Sequence, residues 1–102
     1  MSQGEPKPYG INHGLGVIEQ IQAIKAAARL TGNLAQFKNI LKKATHQLQT
    51  DPHSWGDPEF RAKTIDAVMC RGIIRPIAFR YAIYEQARGV VLLSVRLYGD
   101  FE

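Results

Sequence analysis

The chain has 102 residues, of which 45% are hydrophobic and 22% are charged, and its formal net charge at pH 7 is +4. This composition is ordinary for one small folded domain and leaves little room for a second core. The sequence has no apolar run near the length of a membrane span and no features of a signal peptide, so we expect a cytoplasmic protein that makes no membrane contact. Its one cysteine, Cys70, excludes an intrachain disulfide and a cluster of thiolate ligands.

The first fourteen residues are rich in glycine and proline. Five of these positions are Gly or Pro, and both residue types oppose a regular helix. We therefore predict a loose leader over residues 1–14, within which Tyr9–Ile11 could form a short edge strand. Residues 15–102 are predicted to form a single domain.

Two helices are predicted after the leader. Apolar residues recur at three- and four-residue spacing over residues 15–30, which is typical of an amphipathic helix. The Thr-Gly pair at residues 31–32 is suited to end this helix, and Asn33 is suited to cap the next one. A second apolar stripe continues to residue 51, where Pro52 disfavours helical geometry in the residue before it. The short turn between the helices predicts an αα-hairpin.

The C-terminal part of the chain has the alternation of strands. Residues 53–63 are predicted to form a loop, since they contain Gly56 and Pro58. From Arg71 to Tyr98, apolar side chains alternate with mixed ones, and successive side chains of a strand point to opposite faces. This predicts three antiparallel strands in a meander. The predicted class is α+β, with the N-terminal αα-hairpin packed on the C-terminal antiparallel β-meander.

The net charge is concentrated in this meander. It contains five arginines and one acid, Glu85, whereas the rest of the chain has eight basic and eight acidic residues. Matching the apolar faces of the strands leaves a basic face on the side away from the core. The predicted members of this face, which are the candidates for nucleic-acid or partner binding, are Arg71, Arg75, Arg80, Arg96, Tyr84 and Tyr98. Guanidinium groups bind phosphate through paired hydrogen bonds; the alternative is a solvated face without a ligand.

Other chemistries have little support in the sequence. The histidines, His13, His46 and His53, lack Cys, Asp or Glu partners at the spacing of metal ligands, and no glycine-rich phosphate loop is present. We therefore predict neither a metal nor a cofactor. Lys42 and Lys43 form a charged run with His46 on the second predicted helix, and such a run is typical of a solvated helix face.

Three stretches resemble the RelE/ParE superfamily, the toxic partners of bacterial toxin–antitoxin modules. They are the end of the second helix, Leu41 to Pro52 (LKKATHQLQTDP), the loop around Gly56, and the meander with its segments Tyr81 to Glu85 (YAIYE) and Val90 to Val95. The resemblance covers residues 15–98. It implies a short first strand, an αα-hairpin and a C-terminal antiparallel meander.

The resemblance leaves two hypotheses about function open. Ribonucleolytic members cleave mRNA on the ribosome by promoting attack of a 2′-hydroxyl on the neighbouring phosphate, and the matching catalytic positions here are Arg80, Arg96 and Tyr98. No histidine lies in the meander, and arginine is always protonated, so a general base is missing. ParE-type members look like DNA gyrase inhibitors and need no such residues. This favours a toxin-like protein that binds a partner or target, as a gyrase-type inhibitor or a degenerate toxin, with the ribosome-dependent endoribonuclease as the alternative.

The resemblance also implies partners. Under both hypotheses, an antitoxin-like protein with an acidic or amphipathic segment is expected to cover the basic face or the helical hairpin. A homodimer formed through an exposed sheet edge is a further expectation.

Overall fold

The computed structural model describes residues 8–62 and 66–101. Within these ranges, five strands form one sheet and three helices accompany it. The elements, in chain order, are β1 (Gly10–His13), α1 (Val17–Leu30), α2 (Leu34–Thr50), α3 (Pro52–Trp55), β2 (Asp57–Ala62), β3 (Ala67–Ile74), β4 (Ile77–Tyr84) and β5 (Gly89–Leu97).

The sheet has the strand order β1-β5-β4-β3-β2. β1 pairs with β5 in parallel, and the other neighbours pair in antiparallel fashion. The predicted α+β class is therefore confirmed, but the sheet is mixed and adds two strands to the predicted meander: β1, which overlaps the possible edge strand at Tyr9–Ile11, and β2, which was not predicted. Residues 1–7 of the predicted leader lie outside the described residues, while Gly10–His13 of that leader form β1.

β2 corrects the prediction of a loop over residues 53–63. Gly56 and Pro58 suggested irregular backbone, yet residues 53–55 belong to α3 and Pro58 lies in β2, at the edge of the sheet. An edge strand tolerates proline because one side of its ladder needs no N–H donor. The register between β2 and β3 shifts between Pro58 and Phe60, which marks a bulge.

One face of the sheet packs against the helices. Apolar side chains of α1 and α2, among them Ile24 and Phe37, form a single buried cluster with alternate residues of β4 such as Phe79 and Tyr81. Burial of side chains of this size stabilises a fold by about 1.5–3 kcal/mol each. The phenol of Tyr81 is fully buried and donates a hydrogen bond of 2.6 Å to the carbonyl oxygen of Pro52, so it also fixes α3 against the sheet.

The turn between α1 and α2 lies where it was predicted, but Asn33 does not make the predicted capping hydrogen bond. Gly32 has φ +76°, a left-handed conformation that glycine adopts without strain. Asn33 occupies the N-cap position of α2, but its side chain makes no capping hydrogen bond. Its amide nitrogen instead donates to the hydroxyl oxygen of Thr31 at 2.8 Å, which stabilises the turn itself.

No helix in the described ranges is long and apolar enough to cross a membrane.

The outer edge of β5 is closed in two ways. β1 covers its first half, and beyond β1 the backbone N–H of Val95 donates to the side-chain oxygen of Gln20 in α1 at 2.7 Å. A side chain thus satisfies an edge N–H that would otherwise be available to another strand.

Candidate functional site: the helix-free face of the sheet

The face of the sheet that points away from α1 and α2 is called the helix-free face here. A polar row crosses its centre: Asp57 of β2 pairs with Arg71 of β3, Arg71 with Arg80 of β4, and Arg80 with Ser94 of β5. Residues that are neighbours across strands share a face, because side chains alternate along each strand. Four adjacent strands therefore place polar side chains in one line.

Arg80 is held by a carboxylate from the edge strand. Its Nε and Nη2 atoms donate hydrogen bonds of 3.2 and 3.0 Å to the same oxygen, Oε1 of Glu59 in β2. Glu59 reaches Arg80 across β3 from the bulged part of β2. The side chains remain accessible, with 50% of Arg80 and 32% of Glu59 exposed, so a ligand can reach both groups.

Arg71 and Arg80 lie directly opposite each other on neighbouring strands. Like charges in this position destabilise a sheet, and an anion between them offsets the repulsion. Glu59 supplies part of that negative charge through its contact with Arg80. Arg71 has no ion pair among the described residues. The pair thus places two arginines opposite each other on one face, with a carboxylate, among the described residues, at only one of them.

Arg75 and Tyr98 are placed elsewhere, at the end of the sheet. They line a cavity of about 370 Å³ with Gln36 of α2 and the C-terminal Asp100. Tyr98 follows β5 and is four residues beyond Ser94, so it lies roughly 13 Å along the strand from the row that contains Arg80. The structure therefore separates this pair from the central arginines with which the sequence grouped them.

Arg96 and Tyr84 occupy two further places. Arg96 of β5 pairs with Ala78, two residues from Arg80 on β4, so it is a diagonal neighbour of Arg80 on the helix-free face, and it also borders a groove beside α1. Tyr84 ends β4 opposite Gly89, at the other end of the sheet from Tyr98. The eight residues of β4 correspond to roughly 23 Å of strand. The six predicted residues therefore do not form one site: Arg71, Arg80 and Arg96 are neighbours on the helix-free face, and the other three lie at the ends of the sheet.

Glu59 is the residue that the sequence reasoning missed. It supplies the carboxylate at Arg80 that the candidate catalytic set lacked. Alternation cannot place it, because the bulge between Pro58 and Phe60 breaks the period of two in β2. The available signal was an Asp and a Glu two residues apart in a segment that also contains Phe60.

A second group of polar side chains lies at the turn between β4 and β5. Oε1 of Glu85 accepts a hydrogen bond of 2.9 Å from the phenol of Tyr9 and lies 2.7 Å from Nε2 of His53. The guanidinium of Arg88 lies 4.4 Å from the centre of the Tyr9 ring. Hydrogen bonds from His53 and Tyr9 hold the pKa of Glu85 below its ordinary value. The group joins the segment before β1 to α3 and the turn.

Neither a reactive cysteine nor a group of metal ligands is found among the described residues. Cys70 is buried and free, and its burial raises the pKa of the thiol, which opposes a reactive thiolate. In the part of the chain that the structure describes, no three His, Cys, Asp or Glu side chains are grouped as metal ligands.

Comparison with known proteins identifies the fold. No family model and no curated protein sequence matches the chain. Among solved structures, a chain of the toxin–antitoxin complex RelBE2 from Mycobacterium tuberculosis is similar, with a TM-score of 0.69 and 16% identity, over 94% of this chain and 98% of that chain. At this identity the likeness shows the fold alone. The resemblance inferred from the sequence is confirmed at that level: the chain has a divergent RelE-like α+β fold.

Proposed function

We propose that the protein is the toxin-like component of a toxin–antitoxin pair and that it is an endoribonuclease acting through the helix-free face. The observation that carries the nuclease proposal is the contact of 3.0 Å between Glu59 and Arg80 beside Arg71. The similar solved chain belongs to a toxin–antitoxin complex, which supports the wider class. The Glu59 carboxylate removes the objection that no general base was identifiable.

In the proposed reaction, Glu59 accepts the proton of a ribose 2′-hydroxyl. The 2′-oxygen forms a bond to the neighbouring phosphorus, the bond from phosphorus to the 5′-oxygen breaks, and the proton returns to that leaving oxygen through water. The products are a 2′,3′-cyclic phosphate and a 5′-hydroxyl. Arg80 and Arg71 would stabilise the charge that develops on the phosphate oxygens, the larger part of such catalysis.

The second candidate is a toxin-like protein that acts by binding, as a gyrase-type inhibitor or a degenerate toxin. Two observations favour it. Arg80 is already engaged by Glu59, and Tyr98, the proposed assisting residue of the nuclease, lies roughly 13 Å away along the strand. Under this proposal the same face binds an acidic protein surface, and Glu59 limits its affinity by competing for Arg80.

The two candidates are separated by controlled expression in a bacterial host, with growth and mRNA integrity followed together. The variant is Glu59→Gln, which keeps the shape and removes the base. The matched control is Asp66→Asn, because Asp66 also belongs to an exposed ion pair, with Arg61 at 3.2 Å. Removing a general base slows a reaction by roughly 10²–10⁴-fold.

Growth arrest with cut mRNA that persists in Asp66→Asn and disappears in Glu59→Gln supports the nuclease. Arrest with intact mRNA supports the binding function. Absence of arrest from a folded wild-type protein contradicts toxicity itself. The 5′ ends of cut mRNA should carry hydroxyl groups, since the reaction above leaves them there.

We propose an antitoxin-like protein as the partner. The support is the net charge of +4 together with three exposed apolar side chains at α1 and the turn before it, Leu15, Ile18 and Leu30. An amphipathic acidic segment complements both features. The substitution Leu30→Glu should weaken a complex with such a partner, as measured by co-purification, while leaving the circular dichroism spectrum unchanged because this side chain is already exposed.

A further inference from the structure

A cleft of about 420 Å³ lies on the other side of the sheet, between α2 and β3. It is lined by Lys42, Lys43, His46 and Gln47 of α2, by Trp55 of α3 and by Ile74 of β3. Its volume falls in the range of small-molecule sites. The cleft shares no residue with the helix-free face, and neither proposed function uses it.

The floor of the cleft is a fixed aromatic ring. The indole of Trp55 stacks on Tyr81 with an interplanar angle of 10° and a centroid distance of 5.5 Å. It also rests on Gly72, where an added Cβ would lie 2.8 Å from two ring carbons. Trp55 is partly exposed and borders the cleft, so part of this packed aromatic ring is accessible from it.

The rim of the cleft carries basic side chains that no acidic side chain of α2 neutralises. α2 contains three lysines and one histidine but no acidic residue. Lys42 and Lys43 have no ion pair in the described part of the chain, in contrast to Arg80 on the opposite face. His46 lies one turn after Lys42, so the three side chains border the same opening. Gln47, at the same rim, can hydrogen-bond a polar ring edge through its amide.

From this arrangement we infer that the cleft binds a nucleotide, with its base on Trp55 and its phosphate between Lys42, Lys43 and His46. Stacking on an aromatic ring tolerates any base, because each has a π-face. Lysine ammonium groups bind phosphate as point charges. An acidic peptide would match the rim equally, but the flat floor and the volume of about one nucleotide favour the aromatic anion.

The inference does not depend on the proposed toxin function, and Trp55 offers a direct measurement because it is the one tryptophan of the chain. The purified wild-type chain is titrated with adenosine 5′-monophosphate while the fluorescence of Trp55 is recorded. Adenosine, inorganic phosphate and an oligoglutamate peptide are titrated separately. We expect saturable quenching by the nucleotide that weakens as salt increases.

The variant is Lys43→Glu and its matched control is Lys38→Glu, on the same helix but outside this cleft. Reversing the charge at Lys43 should weaken binding by at least about tenfold, and reversing it at Lys38 should change binding by less than about threefold. Adenosine and inorganic phosphate, each lacking one half of the ligand, should both bind at least about tenfold more weakly than the nucleotide.

Three results would overturn the inference. They are the absence of a saturable fluorescence change at millimolar nucleotide, equal weakening by the two lysine substitutions, and quenching by oligoglutamate without quenching by the nucleotide. The last result would assign the cleft to an acidic protein segment. None of them bears on the cleavage experiment with Glu59→Gln, so the two proposals fail or succeed separately.

Discussion

The two cationic surfaces of this protein differ in how their charges are balanced. On the helix-free face, Arg80 forms an ion pair with Glu59, and Arg71 lies opposite Asp57 in the strand register without an ion pair among the described residues. Along α2, the lysines have no acidic neighbour in the helix. The first surface can combine a cation with a proton acceptor, as acid–base chemistry requires. The second has no carboxylate in its helix, and this difference is the basis for proposing chemistry on the first surface and binding on the second.

The largest expected effect is a loss of mRNA cleavage in Arg80→Ala, which tests whether the helix-free face carries the chemistry. If the central row is the catalytic one, this substitution should reduce mRNA cleavage by roughly 10²–10³-fold, because it removes a preorganised cation at the phosphate. Arg75→Ala removes the same type of side chain from the cavity at the end of the sheet and should reduce cleavage by less than about tenfold. Decay rates of a reporter mRNA measure both. Equal losses would mean that the two arginines act in one site.

The packing of Trp55, which forms the floor of the cleft, is tested by a substitution at Gly72. Gly72→Ala introduces a Cβ that would overlap the Trp55 ring, and we expect it to lower the free energy of unfolding by about 2 kcal/mol. The matched control is Gly10→Ala, since a Cβ at Gly10 meets no atom within 4 Å. Urea denaturation followed by circular dichroism gives both values. A stability loss at Gly10 as large as that at Gly72 would contradict the close packing of Trp55.

A smaller loss of stability is expected from Tyr81→Phe. This substitution tests the residue on which the Trp55 ring stacks. Its hydroxyl is buried against the carbonyl oxygen of Pro52 at 2.6 Å, and burial raises the pKa of Tyr81. Removing the hydroxyl leaves that oxygen without its partner and should lower stability by about 1 kcal/mol. Tyr84→Phe serves as the control, because the phenol of Tyr84 has no hydrogen bond among the described residues. Equal midpoints for the two variants in urea would count against this role of Tyr81.

The smallest expected effect is on stability and concerns Glu85, whose carboxylate belongs to neither cationic surface. Its pKa in the folded state lies below the ordinary value of 4.5, chiefly because of the hydrogen bond to His53. Its stabilising contribution is therefore present above that ordinary value and is lost as pH falls through the lowered pKa. The group is more than half exposed, so the contribution is no more than about 0.5 kcal/mol.

This expectation is checked by comparing urea midpoints of the wild type and Glu85→Gln across the acid range. The difference between the two proteins should shrink as pH falls. A constant difference would show that the carboxylate charge contributes nothing to stability.

The sequence predicted the fold more fully than the site. Periodicity located both long helices to within two residues at their ends, and alternation located β4 and β5, because these elements bury one face along their whole length. β2 was missed because an edge strand with Pro58 and a bulge carries neither signal. The parallel pairing of β1 with β5 could not be read from either strand alone, since it joins segments about 80 residues apart.

The sequence by itself determined how charge is distributed along the chain: five arginines and one acid between Arg71 and Tyr98, and lysines without acids in the second helix. Only the tertiary structure decided which charges meet. It placed Arg75 and Tyr98 at the end of the sheet, away from Arg80, and it brought Glu59 to Arg80, because a bulge on the edge strand redirects one side chain. Local periodicity records which face a residue shares with its near neighbours along the chain. It does not record which strand lies beside another, and that pairing assembles the site.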